Sequence, residues 1–315
     1  MTELHVVNGA GPVGRTIAGR LAEQGSRVRV LTRSGSGPEH PNIERLSLDV
    51  SEPGRLAVAF DGATAIYHCI HASRYSVKTW RGELPKAEHA VLAAAGRVGA
   101  VVAFPESLYS YGHVDGPMTE DTPRDATVGK LRVRAELLKA RAASSTPSVS
   151  VAASDFFGPH VFTAHAGERV IVPTLDGRTV RVLASLDTPH SFTYVLDYAA
   201  AMITAAADSS LWNTVLHAPT ARPVTQRELI ESFASAAGVP IPKMAAIPVW
   251  TLRTAGLFST QSRELAETAY QFQHPFVLDS ARSERLLGLS PTPLEQAAET
   301  TMAWWKARRA AAPGR

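Results

Sequence analysis

The stretch that most constrains this 315-residue chain is Val6-Val7-Asn8-Gly9-Ala10-Gly11-Pro12-Val13-Gly14-Arg15. An apolar run, Leu4–Val7, leads into it. A helical pattern through Ile17, Ala18, Leu21 and Ala22 follows and stops at Gly25. Glycines at this spacing let the chain turn tightly at Gly9, bring backbone close to a ligand at Gly11, and pack helix against strand at Gly14. The first turn of a helix also aims unpaired N–H groups at an anion. Gly9, Gly11, Pro12, Val13, Gly14 and Arg15 are therefore read as a pyrophosphate cradle of a dinucleotide-binding fold.

The rest of the first half keeps the schedule such a fold needs. Arg27–Leu31, Ile43–Leu48, Ala65–Ile70, Ala100–Phe104 and Val149–Ala152 read as strands. Helical patterns fall between them, over 86–98 with Pro85 in the first turn and over 128–142. The expected class is α/β, a Rossmann-type doubly wound parallel sheet with a smaller, mostly helical C-terminal substrate domain. After Ser154 glycine and proline become frequent. Val170–Val172 and Thr179–Leu183, split by Asp176-Gly177, read as a small hairpin. Helical patterns dominate beyond Gln226, and an irregular tail is expected over 311–315. The division expected is a dinucleotide-binding domain over 1–155, completed by about 192–217, and a substrate-binding cap over 156–191 and 218–315.

Composition narrows the partners. With 45% hydrophobic and 19% charged residues the chain buries a core and is not disordered. A single cysteine, Cys69, excludes an internal disulfide and a cysteine-rich zinc site. In His68-Cys69-Ile70-His71 successive side chains of a strand alternate between faces, so no metal centre is expected there. The basic run Lys130, Arg132, Arg134, Lys139, Arg141 is mixed with Glu136 and lacks interleaved aromatics. It reads as a solvated face plus one site-facing residue, Arg132, and no nucleic acid is expected. No stretch approaches the ~20 apolar residues of a membrane span. The N-terminus lacks the basic-then-apolar order of a secretion signal. A soluble cytoplasmic protein is expected, monomer or homodimer, acting on a small molecule without a membrane partner.

Beyond the second strand stands Leu31-Thr32-Arg33-Ser34. An acidic residue here grips ribose hydroxyls, whereas an arginine accommodates a 2′-phosphate. Arg33, with Arg15, favours NADP over NAD. Asp49 has two readings, acceptor for the adenine amino group or ordinary turn residue.

Four further segments, taken with the glycine turn, resemble the extended or atypical short-chain dehydrogenases/reductases, the NAD(P)-dependent epimerase/dehydratase-like branch. Ala65-Ile66-Tyr67-His68-Cys69-Ile70-His71-Ala72 is similar to the family strand that ends beside the nicotinamide ribose, which implies Ile70 and His71 at the cofactor. Phe104-Pro105-Glu106-Ser107-Leu108-Tyr109-Ser110-Tyr111-Gly112 resembles the Ser-Ser-x-x-x-Tyr-Gly segment. That places Ser107 at the catalytic serine position, with Pro105 beside the cofactor. Ser154-Asp155-Phe156-Phe157-Gly158-Pro159 resembles the family's Tyr-Gly-Pro loop and implies Ser154 and Phe156 at the cofactor. Thr193-Tyr194-Val195-Leu196-Asp197-Tyr198-Ala199 resembles its Val-x-Asp-Val-Ala helix start.

The family's Tyr-x-x-x-Lys pair is missing. Aligning its helix on Glu136 puts Val128 in place of the tyrosine and Arg132 in place of the lysine. Valine transfers no proton, and a guanidinium is too weak an acid to do so at neutral pH. The resemblance leaves Arg132 to orient the ribose, Ser107 to bond the substrate oxygen and Tyr109 as candidate proton relay. Tyr111, His113, Asp155 and His190 are the other candidate acids. Tyr109 and Tyr111 share a face with Ser107 if the chain stays extended. Glu106 is expected either to bond cofactor or substrate or to point into solvent. Phe156, Phe157, Phe162, Trp250 and Phe258 suggest an apolar substrate. Three functions are carried forward: an NADP(H)-dependent reductase or dehydrogenase of a small carbonyl or alcohol, a sugar epimerase or dehydratase with tightly bound NAD(P), and a redox-silent NADP-binding sensor.

Overall fold

The structure is a computed structural model that describes residues 3–311. Ala311 apart, the tail expected over 311–315 lies outside the described residues, as do the first two residues of the N-terminus. The first half runs β1 (Leu4–Asn8), α1 (Pro12–Glu23), β2 (Arg27–Thr32), β3 (Ile43–Ser47), α2 (Pro53–Ala59), β4 (Ala63–His68), α3 (Val77–Val98), β5 (Val101–Ser107), α4 (Gly129–Ala142) and β6 (Ser148–Ala153). The second half runs β7 (Asp155–Phe157), α5 (Glu168–Leu175), β8 (Val180–Leu183), β9 (Phe192–Tyr194), α6 (Val195–Ala207), β10 (Val215–His217), α7 (Gln226–Ala237), β11 (Met244–Ile247), α8 (Val249–Ala255), α9 (Thr260–Thr268), α10 (Ala281–Leu287) and α11 (Leu294–Ala311).

The main sheet is parallel throughout, in the order β3-β2-β1-β4-β5-β6-β10. Strand order reverses between β1 and β4, which opens a crevice at their carboxyl ends. Every residue of β1 and β6 is buried because helices cover both faces, hence their near-continuous apolar character. On one face Val7, Val30, Ala103 and Val151 pack with Ile17 of α1 and Met202 of α6. On the other, Val6, Leu31, Ile66 and Val102 meet Leu56 of α2 and Val91 of α3. A separate core joins Phe157, Ile171, Val182, Phe233 and Trp305.

Three local expectations are corrected. Helix α3 begins at Val77, where Ser76 Oγ accepts from the Thr79 N–H at 3.3 Å, so Pro85 lies inside it. Trp80 and Leu84, both buried, anchor the turn before the proline and hold the helix across the missing N–H. The hairpin does not form: Val170–Val172 belongs to α5, and β8 pairs in parallel with β11. A short apolar run has no period of its own, and Val170, Ile171 and Thr174 make one buried helical face. Finally, the chain does not stay extended past Ser107. A 3-10 turn over Leu108–Tyr111 separates Tyr109 from Tyr111, which is buried and bonded to His217 Nε2 at 2.5 Å.

Candidate active site

The glycine turn has the steric form that its spacing implies. Gly9 has φ +97°, and a Cβ there would lie 2.8 Å from the Cys69 carbonyl oxygen. A Cβ on Gly14 would lie 2.1 Å from the carbonyl oxygen of Gly9, so this glycine sets the approach of α1 to the turn. At Gly11 a Cβ would meet nothing within 4 Å. That open space stands at the N-cap of α1, with Pro12 in the first helical turn, and it fits a pyrophosphate.

A cavity of about 830 Å³ begins here, lined by Gly11, Pro12 and Val13. It passes Ile70 and His71 beyond β4, Pro105 and Ser107 of β5, and Ser154 and Phe156 beyond β6. It ends among Tyr75, Tyr109, Asp155, Phe162 and His165. Gly9 and Gly14 pack behind the turn. Arg33 is exposed and its charge is felt by Asp49 and Glu83, while Arg15 lies near His160. Asp49 accepts from the Ser51 N–H at 2.9 Å, a turn-residue contact that lowers its pKa. Of the aromatic residues expected at the substrate, Phe156 and Phe162 line the cavity and Phe157 is core. Trp250 and Phe258 are 66% and 93% exposed.

The register of α4 departs from the sequence alignment. Val128 is the N-cap and 57% exposed, and Arg132 is turned outward, donating to Glu136 at 2.6 Å. Neither lines the cavity, so the expectation of a site-facing Arg132 is corrected. The inward pair one turn apart is Lys130 and Arg134. Lys130 is wholly buried, donates to Glu264 at 2.5 Å and to Glu267, and lies over the Tyr75 ring at 4.5 Å. Arg134 lines the cavity, 3.5 Å from Glu106 and 5.0 Å from the Trp80 ring. Deeper still, Arg141 holds Glu88 through two bonds of 2.6 and 2.7 Å and Glu106 at 2.8 Å. Three cations of the supposed solvated face are thus buried, because Glu264 and Glu267 supply matching charge to Lys130, and Glu88 on α3 and Glu106 on β5 to the two arginines. Glu106 does not point into solvent: it is a buried counter-ion that accepts from the Ser107 N–H at 2.8 Å, and it stands among the residues lining the cavity. The spacing Lys130, Arg134, Leu137, Arg141 is that of a single helix face, and it was the available signal.

Burial, with the Arg141 and Arg134 charges adding to it against the Glu88 carboxylate, pushes the His68 imidazole down to about 4, and neither ring nitrogen has a protein partner. Tyr75 and Tyr109 hydroxyls lie 2.8 Å apart, and burial raises both above their ordinary value. Asp155 Oδ2 lies 2.9 Å from His190 Nε2, and neighbouring His165 and His190 lower the carboxyl against its burial. His113 is exposed and packs on the Tyr270 ring at 4.0 Å. Among the described residues no three His, Cys, Asp or Glu side chains converge on a metal-sized site, and no helix is long and apolar enough to cross a membrane.

A parallel sheet, a glycine cradle at its switch point and a cavity crossing the strand ends define a dinucleotide-binding α/β protein. The model of the NAD dependent epimerase/dehydratase family matches residues 5–213, and the chain belongs to that family. No curated protein sequence matches it. Among solved structures it is similar to WbmH of Bordetella bronchiseptica in complex with NAD+, at 17% identity and TM-score 0.76, over 97% of this chain and 99% of that one. UDP-glucose 4-epimerase of Thermotoga maritima with UDP-glucose gives 16% identity and TM-score 0.76, over 97% and 99%. dTDP-glucose 4,6-dehydratase of Bacillus anthracis in complex with NAD gives 13% and 0.77, over 98% of each chain. At these identities the likeness establishes the fold.

Proposed function

We propose that the protein is an NADP(H)-dependent oxidoreductase acting on a carbonyl or alcohol of a small, largely apolar molecule. The carrying observation is the single cavity joining the phosphate cradle at Gly11 to Ser107, with Phe156 and Phe162 along its wall. Family membership supports a nicotinamide dinucleotide, which supplies or accepts a hydride when bound. Ser107 Oγ bonds the substrate oxygen, and the Glu106 carboxylate on its N–H fixes the end of β5. Tyr109 orients the same oxygen. Arg134, whose Nε has no protein partner, takes the part expected of Arg132 and stabilises negative charge in the cavity. Arg33 and Arg15 support the 2′-phosphate reading, since neither guanidinium has a described carboxylate within 4.0 Å.

A second reading, a sugar epimerase or dehydratase, is favoured by the family and by the UDP-glucose held in one neighbour. It uses the same cavity but returns the hydride within each turnover. The two separate in one assay. Purified protein is given NADPH or NADH with a panel of aliphatic and aromatic aldehydes and ketones, and separately UDP-glucose with NAD+. Stoichiometric NADPH oxidation supports the reductase. Altered sugar without net nicotinamide change supports the second reading. Tight dinucleotide binding with neither leaves the sensor. In the first case Ser107→Ala is expected to lower turnover ~10²–10³-fold, the usual loss of one oxyanion donor, with dinucleotide affinity retained.

A further inference from the structure

His190 is 1% exposed and lies between two aromatic rings, Phe272 stacked at 4.5 Å and Phe276 at 5.4 Å. Its Nδ1 is 3.1 Å from the carbonyl oxygen of Gln271, and its Nε2 is 2.9 Å from Asp155 Oδ2. A carbonyl oxygen only accepts, so Nδ1 carries a hydrogen. A carboxylate likewise only accepts, so the contact at Nε2 requires one more proton between the ring and Asp155. Two such contacts together accommodate one proton beyond a neutral imidazole and a carboxylate, whether it is written imidazolium–carboxylate or imidazole–carboxylic acid. The stacked rings shield the imidazole, and Asp155 is the member that lines the cavity.

The surroundings favour this store over the tyrosines. Tyr75 and Tyr109 are both pushed above their ordinary value, partly by the Asp155 charge, which is the wrong direction for an acid. His165, facing Asp155 from the loop before α5, is pushed down by burial and by Arg169, so it stays uncharged near neutrality. Lys130, beside Tyr75, is committed to Glu264 and Glu267.

We infer that the Asp155–His190 pair is the proton donor that replaces the family tyrosine. The inference rests on the redox reading above. In reduction, a bound reduced nicotinamide would supply a hydride to the carbonyl carbon, and the C=O π pair would move to oxygen. That oxygen takes the shared proton through Asp155 Oδ2, leaving Asp155 a carboxylate and His190 a neutral imidazole. Water entering the cavity returns the proton. Oxidation of an alcohol runs the same steps backward, with Asp155 as base. Asp155 is the catalytic residue and His190 the positioning residue that holds its proton.

The test has two arms. In the dinucleotide-free protein, ¹⁵N spectra of His190 are expected to show Nδ1 protonated and Nε2 sharing a proton at neutral pH, and Asp155→Asn is expected to convert the ring to a single neutral tautomer. With NADPH and the aldehyde and ketone panel, Asp155→Asn is expected to lower kcat ~10²–10⁴-fold, the range of a positioned acid, and to abolish one limb of the kcat pH profile. NADPH affinity, read by calorimetry, stays within about twofold. His190→Gln, which keeps a hydrogen-bonding group at that position, is expected to shift the same limb and serves if Asp155→Asn fails to fold. Tyr109→Phe is expected to lower kcat but leave the limb in place. NADPH-dependent turnover that keeps both rate and limb in Asp155→Asn and His190→Gln, or an unprotonated Nε2 in the wild type, overturns the proposal alone. A wild type that binds neither dinucleotide overturns the redox reading and takes this proposal with it.

Discussion

At the phosphate end of the cavity, glycines stand where a methyl group would strike backbone at Gly9 and Gly14 or enter ligand space at Gly11. At the chemical end, Glu88, Glu106, Arg134 and Arg141 stand where almost no water reaches. The first end is held by what is missing: an added methyl group strains the backbone at Gly9 and Gly14 and, at Gly11, takes ligand space alone. The second is held by what is present and tolerates no deletion, because removing one charge strands another in a poorly solvated place. The cradle serves any dinucleotide of this kind, and its form follows from backbone sterics alone.

The largest effect expected is at the charged end. Arg141→Leu leaves Glu88 and Glu106 without their shared partner, and chemical denaturation is expected to show a loss of about 3–5 kcal/mol. Replacing Glu88, Glu106 and Arg134 as well, each by an apolar residue of similar size, is expected to recover most of it. Recovery failing in the quadruple variant would break the comparison, since the single loss would then be one of shape.

Acid is the next lever. His68 falls from its ordinary 6.5 to about 4 in the folded protein, so between those values the unfolded chain binds the extra proton. Stability is then fully present above pH 6.5 and declines as pH falls toward 4, by about 3 kcal/mol for this residue. Glu88 acts lower, its depressed carboxyl holding stability above the ordinary carboxylate range and releasing it below. Thermal melts of wild type and His68→Leu across this window separate the histidine contribution. Parallel curves for the two proteins refute it.

At the phosphate end the effects are smaller and read out in binding. Arg33→Ala is expected to weaken NADPH by ~1.5–3 kcal/mol, roughly ten- to a hundredfold, and to leave NADH alone. Equal weakening of both cofactors removes the 2′-phosphate assignment. Smallest in stability, at ~1–3 kcal/mol, is the strain of Gly14→Ala, where a methyl group meets a backbone oxygen that no rotamer change can move. Gly11→Ala is expected to melt like the wild type yet bind dinucleotide more weakly, which separates the packing glycine from the ligand glycine.

The same contrast explains what was legible in the sequence. Glycine spacing and strand–helix alternation encode local backbone geometry, so the cradle and the sheet through β6 were readable directly. Ile70, His71, Pro105, Ser107, Ser154 and Phe156, which the family resemblance implies, also line the cavity. Arg132 does not, because which face of α4 turns inward is decided by carboxylates far away in sequence, Glu88 and Glu106. A helix with five cations carries no apolar stripe to announce its buried side. The pairing joins Asp155, at the start of β7, to His190, in the segment before β9, and no local pattern reports it. α5 was misread because three consecutive valine and isoleucine residues suit strand and helix alike.

The buried quartet also bears on descent. Two glutamates and two arginines from α3, β5 and α4 balance one another, so a relative that loses Arg141 alone inherits a stranded pair of anions. Divergent lineages are expected to exchange these four positions as a block or keep them all. A survey that scores each column of a family separately is blind to such linkage; one that scores the four positions together is expected to find it.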